Sequence, residues 1–134
     1  ENAPRRLSDA LVIHTEVEFL PLYKDQALFS EIELFLRGAG FVLHRFEPLV
    51  SRAMKPIVVA NSPYSDFKQV VWADAIFVRS FLKLAGLDSD ELLKLATVLN
   101  DCYQSYDLVH VLLTEHDRRS GNALAPAYLK LVTS

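Results

Sequence analysis

Residues 10–20, ALVIHTEVEFL, change pattern part of the way along. Leu11, Val12 and Ile13 form a β-branched apolar patch, after which Val17 and Phe19 alternate with Glu16 and Glu18. A period of two is the signature of a strand, and a continuous apolar run marks one covered on both faces. The segment therefore predicts one strand, buried early and exposed toward its end, closed by Pro21. No other segment constrains the fold as much. A strand this apolar needs neighbours, and nothing upstream of it in the chain can pair with it. A missing neighbour, a second copy or the helices at residues 88–132 must cover that side.

A helix and then another strand come next along the chain. Leu28, Ile32, Phe35 and Leu36 recur at helical spacing over residues 25–37, with Asp25 as the candidate N-cap. Gly38 and Gly40 mark the exit. Residues 41–46, FVLHRF, read as a second strand, so the three elements form a tight crossover that places a parallel pair in a sheet. Residues 47–70 hold Pro48, Pro56 and Pro63 and read as a long irregular connection, with a turn at residues 61–64. A third strand is expected over residues 71–79, centred on residues 75–78, and a short helical turn over residues 80–86. Helices follow at residues 88–103, 105–118 and 123–132. Asp88 or Ser89 caps the first of them, and Pro126 falls in the first turn of the last.

Composition bounds the function classes. The chain has 134 residues, 51% hydrophobic and 23% charged, which is ordinary for a packed domain. A net charge of −3 offers no footprint for nucleic acid, and none is expected as a partner. No apolar stretch is long enough to span a bilayer, so no membrane association is expected. The single cysteine, Cys102, makes no internal disulfide. Together with the lack of a secretory signal at residues 1–9, it makes a reducing, cytoplasmic setting the default. The chain opens on a polar, proline-containing stretch without a methionine, as a fragment or a trimmed product would.

Chemistry-bearing residues are few. Glu16 and Glu18 stand two apart on a strand, so their carboxylates share one face at its carboxyl end, where open α/β sheets place their sites. They are either ligand-facing or solvated strand-end charges. His14 extends the row, but one strand alone is a poor metal cage, and a packed or hydrogen-bonded histidine is the plainer reading; no metal is expected. Tyr23, in the loop after the strand, either lines a pocket or packs over the crossover. Trp72 reads as packing and His44 as structural. His110 and His116 read as surface residues of a helix, with Asp107 in pairing distance of His110. Arg118 and Arg119 are only a small basic spot. None of the four glycines, Gly38, Gly40, Gly86 and Gly121, follows the first strand in a phosphate-cradling pattern. No catalytic residue can be named.

One longer pattern stands out. Glu16-Val17-Glu18-Phe19, then Pro21-Leu22-Tyr23, Gln26, Phe29 and Gly40-Phe41, together with Ala73-Asp74-Ala75-Ile76-Phe77-Val78-Arg79, resemble the FkbM family of S-adenosylmethionine-dependent methyltransferases. The resemblance covers roughly residues 10–80. It implies an α/β fold that is the C-terminal part of a seven-stranded Rossmann-like methyltransferase sheet. The three strands would be its fifth, sixth and seventh, with the seventh inserted antiparallel between the other two and the fourth lying before Glu1. Residues 1–86 would be the partial methyltransferase-like unit and residues 87–134 an added helical extension. The implied activity is O-methylation of a small-molecule acceptor in the parent protein. Glu16, Glu18 and Tyr23 would be on the acceptor side. The glycine-containing cofactor loop and the acidic residues that hold the cofactor are absent from this chain. S-adenosylmethionine is thus expected for the parent and no cofactor for the chain alone, which would be inactive. The alternative is a non-catalytic interaction module derived from the same fold. With its first strand short of a neighbour, the isolated chain is expected to form a homodimer or larger species.

Overall fold

The structure, a computed structural model, describes residues 7–134. The polar opening at residues 1–6, and the expectation of a fragment attached to it, lie outside the described residues. The elements are β1 (Val12–Glu18), α1 (Phe29–Gly38), β2 (Phe41–Arg52), β3 (Gln69–Arg79), a 3-10 segment (Phe81–Gly86), α2 (Ser89–Tyr103), α3 (Tyr106–Ser120) and α4 (Leu124–Thr133). They divide into two compact units, Glu1–Arg79 and Ser80–Ser134.

The sheet corrects the expected fold class. It has three strands in the order β1-β3-β2, and both pairings are antiparallel. This is a small α/β architecture on a three-stranded antiparallel sheet, not a seven-stranded Rossmann-like one. β1 and β2 run in the same direction but do not pair, because β3 lies between them. The reason is in the apolar content. β3 buries Ala73, Ala75 and Phe77 on one face and Ile76 and Val78 on the other, the profile of a strand with neighbours on both sides. The ALVI run of β1 is only half-buried and takes an edge.

β2 runs further than its sequence suggests, through Pro48 to Arg52. An edge strand tolerates a residue without an N–H, and the register shifts between Phe46 and Leu49, around that proline. The irregular connection therefore shrinks to residues 53–68. Its ends are tied together: Ser51 Oγ donates to Phe67 O at 2.7 Å and accepts from Phe67 N at 3.2 Å. Within it, Ser62 N donates to Val59 O at 3.0 Å around Ala60 and Asn61, both at positive φ, so the expected turn begins earlier than residue 61.

α1 starts four residues later than the periodicity predicts. Asp25 is not its cap but sits in the preceding turn at φ +58°. The cap position is Leu28, whose N–H donates to Glu31 Oε2 at 2.8 Å. α1 lies on one face of the sheet. Leu36 joins Val17, Phe41, Ala73, Ala75 and Phe77 in the core. At one side of that core Phe19, Phe29 and Phe46 meet ring to ring, with centroids 5.3–5.6 Å apart. The turn from α1 into β2 needs Gly40, at φ +90°, where a Cβ would sit 3.2 Å from Arg79 Nη1.

The helical unit is built from caps and stripes. Asp88 Oδ1 accepts from Glu91 N at 2.8 Å and Glu91 Oε2 accepts from Asp88 N at 2.9 Å, a reciprocal cap that starts α2. Leu92, Leu95, Ala96 and Leu99 of α2 are buried, as are Leu108, Val109, Leu112 and Leu113 of α3. Gly121, at φ +74°, ends α3. Arg119 bonds the carbonyls of Leu84 and Leu87 and so holds the 3-10 segment against α3. No helix among the described residues is long and apolar enough to cross a membrane.

Candidate functional site

Alternation along β1 separates two sets of side chains. Ile13, Val17 and Phe19 face the core under α1. His14, Glu16 and Glu18 take the opposite face. The register aligns Glu16 with Asp74 and Glu18 with Trp72 on β3. The row read in the sequence thus gains a third carboxylate, Asp74, whose Oδ2 lies 3.9 Å from His14 Nε2. Glu18 holds its proton above the ordinary carboxyl range. Burial is the main cause, followed by a hydrogen bond and repulsion from Glu16; a hydrogen bond with Gln26 acts against them.

Gln26 is the residue that organises the loop. Its Oε1 accepts from Leu22 N at 3.0 Å and from Tyr23 N at 3.2 Å. One side chain therefore shapes the turn after β1 and also reaches Glu18. Tyr23 projects from this turn with 74% of its surface exposed. Trp72 is half-buried in β3.

The connection at residues 53–68 leaves β2 and rejoins β3 at the same end of the sheet. Arg52 aligns with Gln69 there, three positions along β3 from Trp72 and its partner Glu18. Arg52, Met54, Ile57, Phe67, Lys68 and Gln69 line an apolar groove of about 300 Å³ in this region. The end of β1, the Gln26 loop and the 53–68 connection thus share one rim of the sheet. The first two carry the three residues singled out in the sequence, Glu16, Glu18 and Tyr23.

Elsewhere the chemistry is local. Asp107 accepts from Leu108 N at 2.8 Å, within its own helix turn. His116 is buried rather than on the surface, with Nδ1 3.5 Å from Asp117 Oδ1 and 3.4 Å from Ser120 Oγ. Both neighbours approach the same ring nitrogen, so they do not form a relay through the imidazole. Asp117 is held below the usual carboxylate range. Burial pushes it up, but donation from the Ala125 and Leu124 N–H groups and from His116 outweighs that. Arg118 and Arg119 share the Glu115 carboxylate, which balances one of their two charges within α3. Cys102 is exposed on α2. Among the described residues no group of three His, Cys, Asp or Glu side chains could hold a metal.

The four glycines serve chain turns. Gly38 closes α1, Gly40 turns into β2, Gly86 closes the 3-10 segment and Gly121 caps α3. They stand at four separate turns. No family model matches the chain, and no solved structure matches it.

Proposed function

We propose that this chain is the acceptor-side portion of an S-adenosylmethionine-dependent O-methyltransferase of the FkbM type, inactive by itself. The observation that carries the reading is the shared rim. Glu16 and Glu18, set by β1, meet the Gln26–Tyr23 loop at the end of the sheet from which the 53–68 connection leaves. A hydroxyl acceptor needs a group that orients its oxygen and takes its proton. A carboxylate with raised proton affinity suits that role better than an ordinary one. Glu18 would take the proton, Glu16 would hold the hydroxyl group or keep Glu18 basic, and Tyr23 would close over the acceptor. The cofactor would be held by other parts of the parent protein, in a reducing, cytoplasmic setting.

The test is methyl transfer from labelled S-adenosylmethionine by the product of the complete reading frame that contains these residues. Transfer that falls at least tenfold in Glu18→Gln, with cofactor affinity kept, supports the reading. Undiminished transfer in both Glu16→Gln and Glu18→Gln contradicts these roles.

A second reading is a non-catalytic interaction module. It is favoured by the exposed apolar side chains of the 53–68 connection, Met54, Ile57, Val58, Tyr64 and Phe67. It separates from the first on the encoded sequence. A translation start just before Glu1, with no glycine-rich loop encoded upstream, favours the module.

A further inference from the structure

We infer that the connection at residues 53–68 docks on an anionic bilayer surface, its apolar side chains entering the interface and its lysines meeting acidic headgroups. Met54, Ile57 and Val58 in its first half, and Tyr64 and Phe67 in its second, are each more than half exposed. Apolar groups gathered on one loop are a binding surface, unlike the single exposed side chains of an ordinary exterior. Met54, Ile57 and Phe67 converge on the groove of about 300 Å³, with Lys68 beside them. The contact is peripheral: no helix among the described residues is long and apolar enough to cross a membrane.

Charge selects the occupant. Residues 41–70 hold two acids, Glu47 and Asp66, against Arg45, Arg52, Lys55 and Lys68. Arg45 pairs with Glu47, and Arg52 pairs with Asp66. Lys55 and Lys68, both exposed, are left without an acidic partner among the described residues. This positive surplus is local, since the whole chain carries −3. Each lysine follows an apolar residue, Lys55 after Met54 and Lys68 after Phe67. A bilayer boundary offers hydrocarbon and headgroup charge side by side, and anionic lipid attracts lysines held within a Debye length of it. Tyr64 adds an amphipathic ring of the kind that settles at that boundary.

Size and order favour a bilayer over a protein partner. The five exposed apolar side chains make a patch on the order of a few hundred Å². A stable protein interface takes roughly 800 Å² from each partner. Reversible binding to a bilayer needs only a modest apolar area joined to basic charge. The loop is also shaped in advance. Arg52 Nη1 donates to Asp66 Oδ1 at 3.2 Å, Ile57 N to Met54 O at 3.0 Å and Tyr64 N to Ser62 Oγ at 3.2 Å. Little order has to be imposed on docking.

The experiment is co-sedimentation with vesicles, on the 134-residue chain and on the product of the complete reading frame. It uses no cofactor and no methyl transfer, so its outcome is separate from the methyltransferase reading. Both proteins are expected to bind vesicles of phosphatidylcholine and phosphatidylserine in equal parts at least tenfold more tightly than vesicles of phosphatidylcholine alone. Lys55→Glu with Lys68→Glu is expected to weaken that binding at least tenfold, and so is Ile57→Ser with Val58→Ser. Lys83→Glu with Lys130→Glu changes the net charge equally, in the helical unit, and is expected to leave binding unchanged. All six side chains are exposed, and circular dichroism checks that the variants fold. A polarity-sensitive dye on Val58→Cys, made with Cys102→Ser, is expected to shift to the blue on the mixed vesicles. No binding to the mixed vesicles overturns the proposal, as does a dye that does not shift. So does a control pair that weakens binding as much as the loop lysines do. Binding by the short chain but not by the complete product shows the patch covered within the parent protein and also overturns it. A mass above 15.1 kDa that Ile57→Ser with Val58→Ser abolishes assigns the patch to a second copy instead.

Discussion

The Arg79 guanidinium stacks on the Phe41 ring, its central carbon 4.1 Å from the ring centroid. From there it donates to the carbonyls of Leu7, Ser8 and Ala10 before β1 and of Ala39 before β2. One side chain at the end of the central strand thus fixes the start of both flanking strands. Arg79→Ala is expected to lower stability by about 3 kcal/mol, because it removes several charge-assisted bonds and the cation–π stacking together. Arg79→Lys should recover less than half, because an ammonium cannot fork to carbonyls on two sides. Urea unfolding measures both; a loss in Arg79→Ala below about 1 kcal/mol contradicts the role.

Gly40 is tied to the same group. A Cβ at residue 40 would be strained by φ +90° and would press on Arg79 Nη1. Gly40→Ala is expected to cost about 1–2 kcal/mol. Gly38→Ala, with open space around it and a place in α1, should be neutral or gain up to about 1 kcal/mol. Equal effects at the two positions would contradict this account of the turn.

α3 carries an acid-sensitive contact. Hydrogen bonds from Arg118 and Arg119 pull Glu115 down to a pKa of about 2. Its folded value thus lies below its unfolded one, so the contribution is fully present above the ordinary glutamate range and is lost as pH falls toward 2. Glu115→Gln should therefore be less stable than the unmodified chain at neutral pH. The gap should close between the ordinary glutamate range and the folded pKa of about 2. A gap unchanged across that window in thermal melts would refute the pairing.

Much of this was legible in the sequence. The strand at residues 12–18 lies within the alternating segment at residues 10–20, and Asp88, the cap of α2, was one of two candidates for it. Leu92, Leu95 and Leu99 announce their buried stripe. Strand pairing was not legible from local periodicity: a β-α-β pattern reads as a parallel pair, and only the depth of burial at Ala73–Val78 makes β3 the middle strand. The length of β2 was hidden because Pro48 looks like a break, yet an edge bulge absorbs it. In the candidate site, Glu16 and Glu18 were found by spacing. Gln26 and Asp74 were missed as site residues, since their roles come from the turn and from the cross-strand register. Arg79 gave no signal beyond its place at the end of an apolar run.

Glu18 offers a direct probe of the carboxylate row. Burial raises its pKa most, and Glu16 adds to it through a hydrogen bond and repulsion. Glu16→Gln removes the repulsion, so the Glu18 midpoint should fall while staying above that of an exposed glutamate. Carboxyl-carbon NMR titration reads this midpoint; no movement would separate the two residues.

The central claim is that this chain carries the acceptor side of a methyltransferase and leaves the cofactor to the rest of the protein. Parallel calorimetric titrations with S-adenosylmethionine test it most directly, one on the 134-residue chain and one on the product of the complete reading frame. The expected result is saturable binding, about one cofactor per chain, by the complete product, and no saturable binding by the 134 residues alone. Stoichiometric binding by the short chain, or none by the complete product, would contradict it.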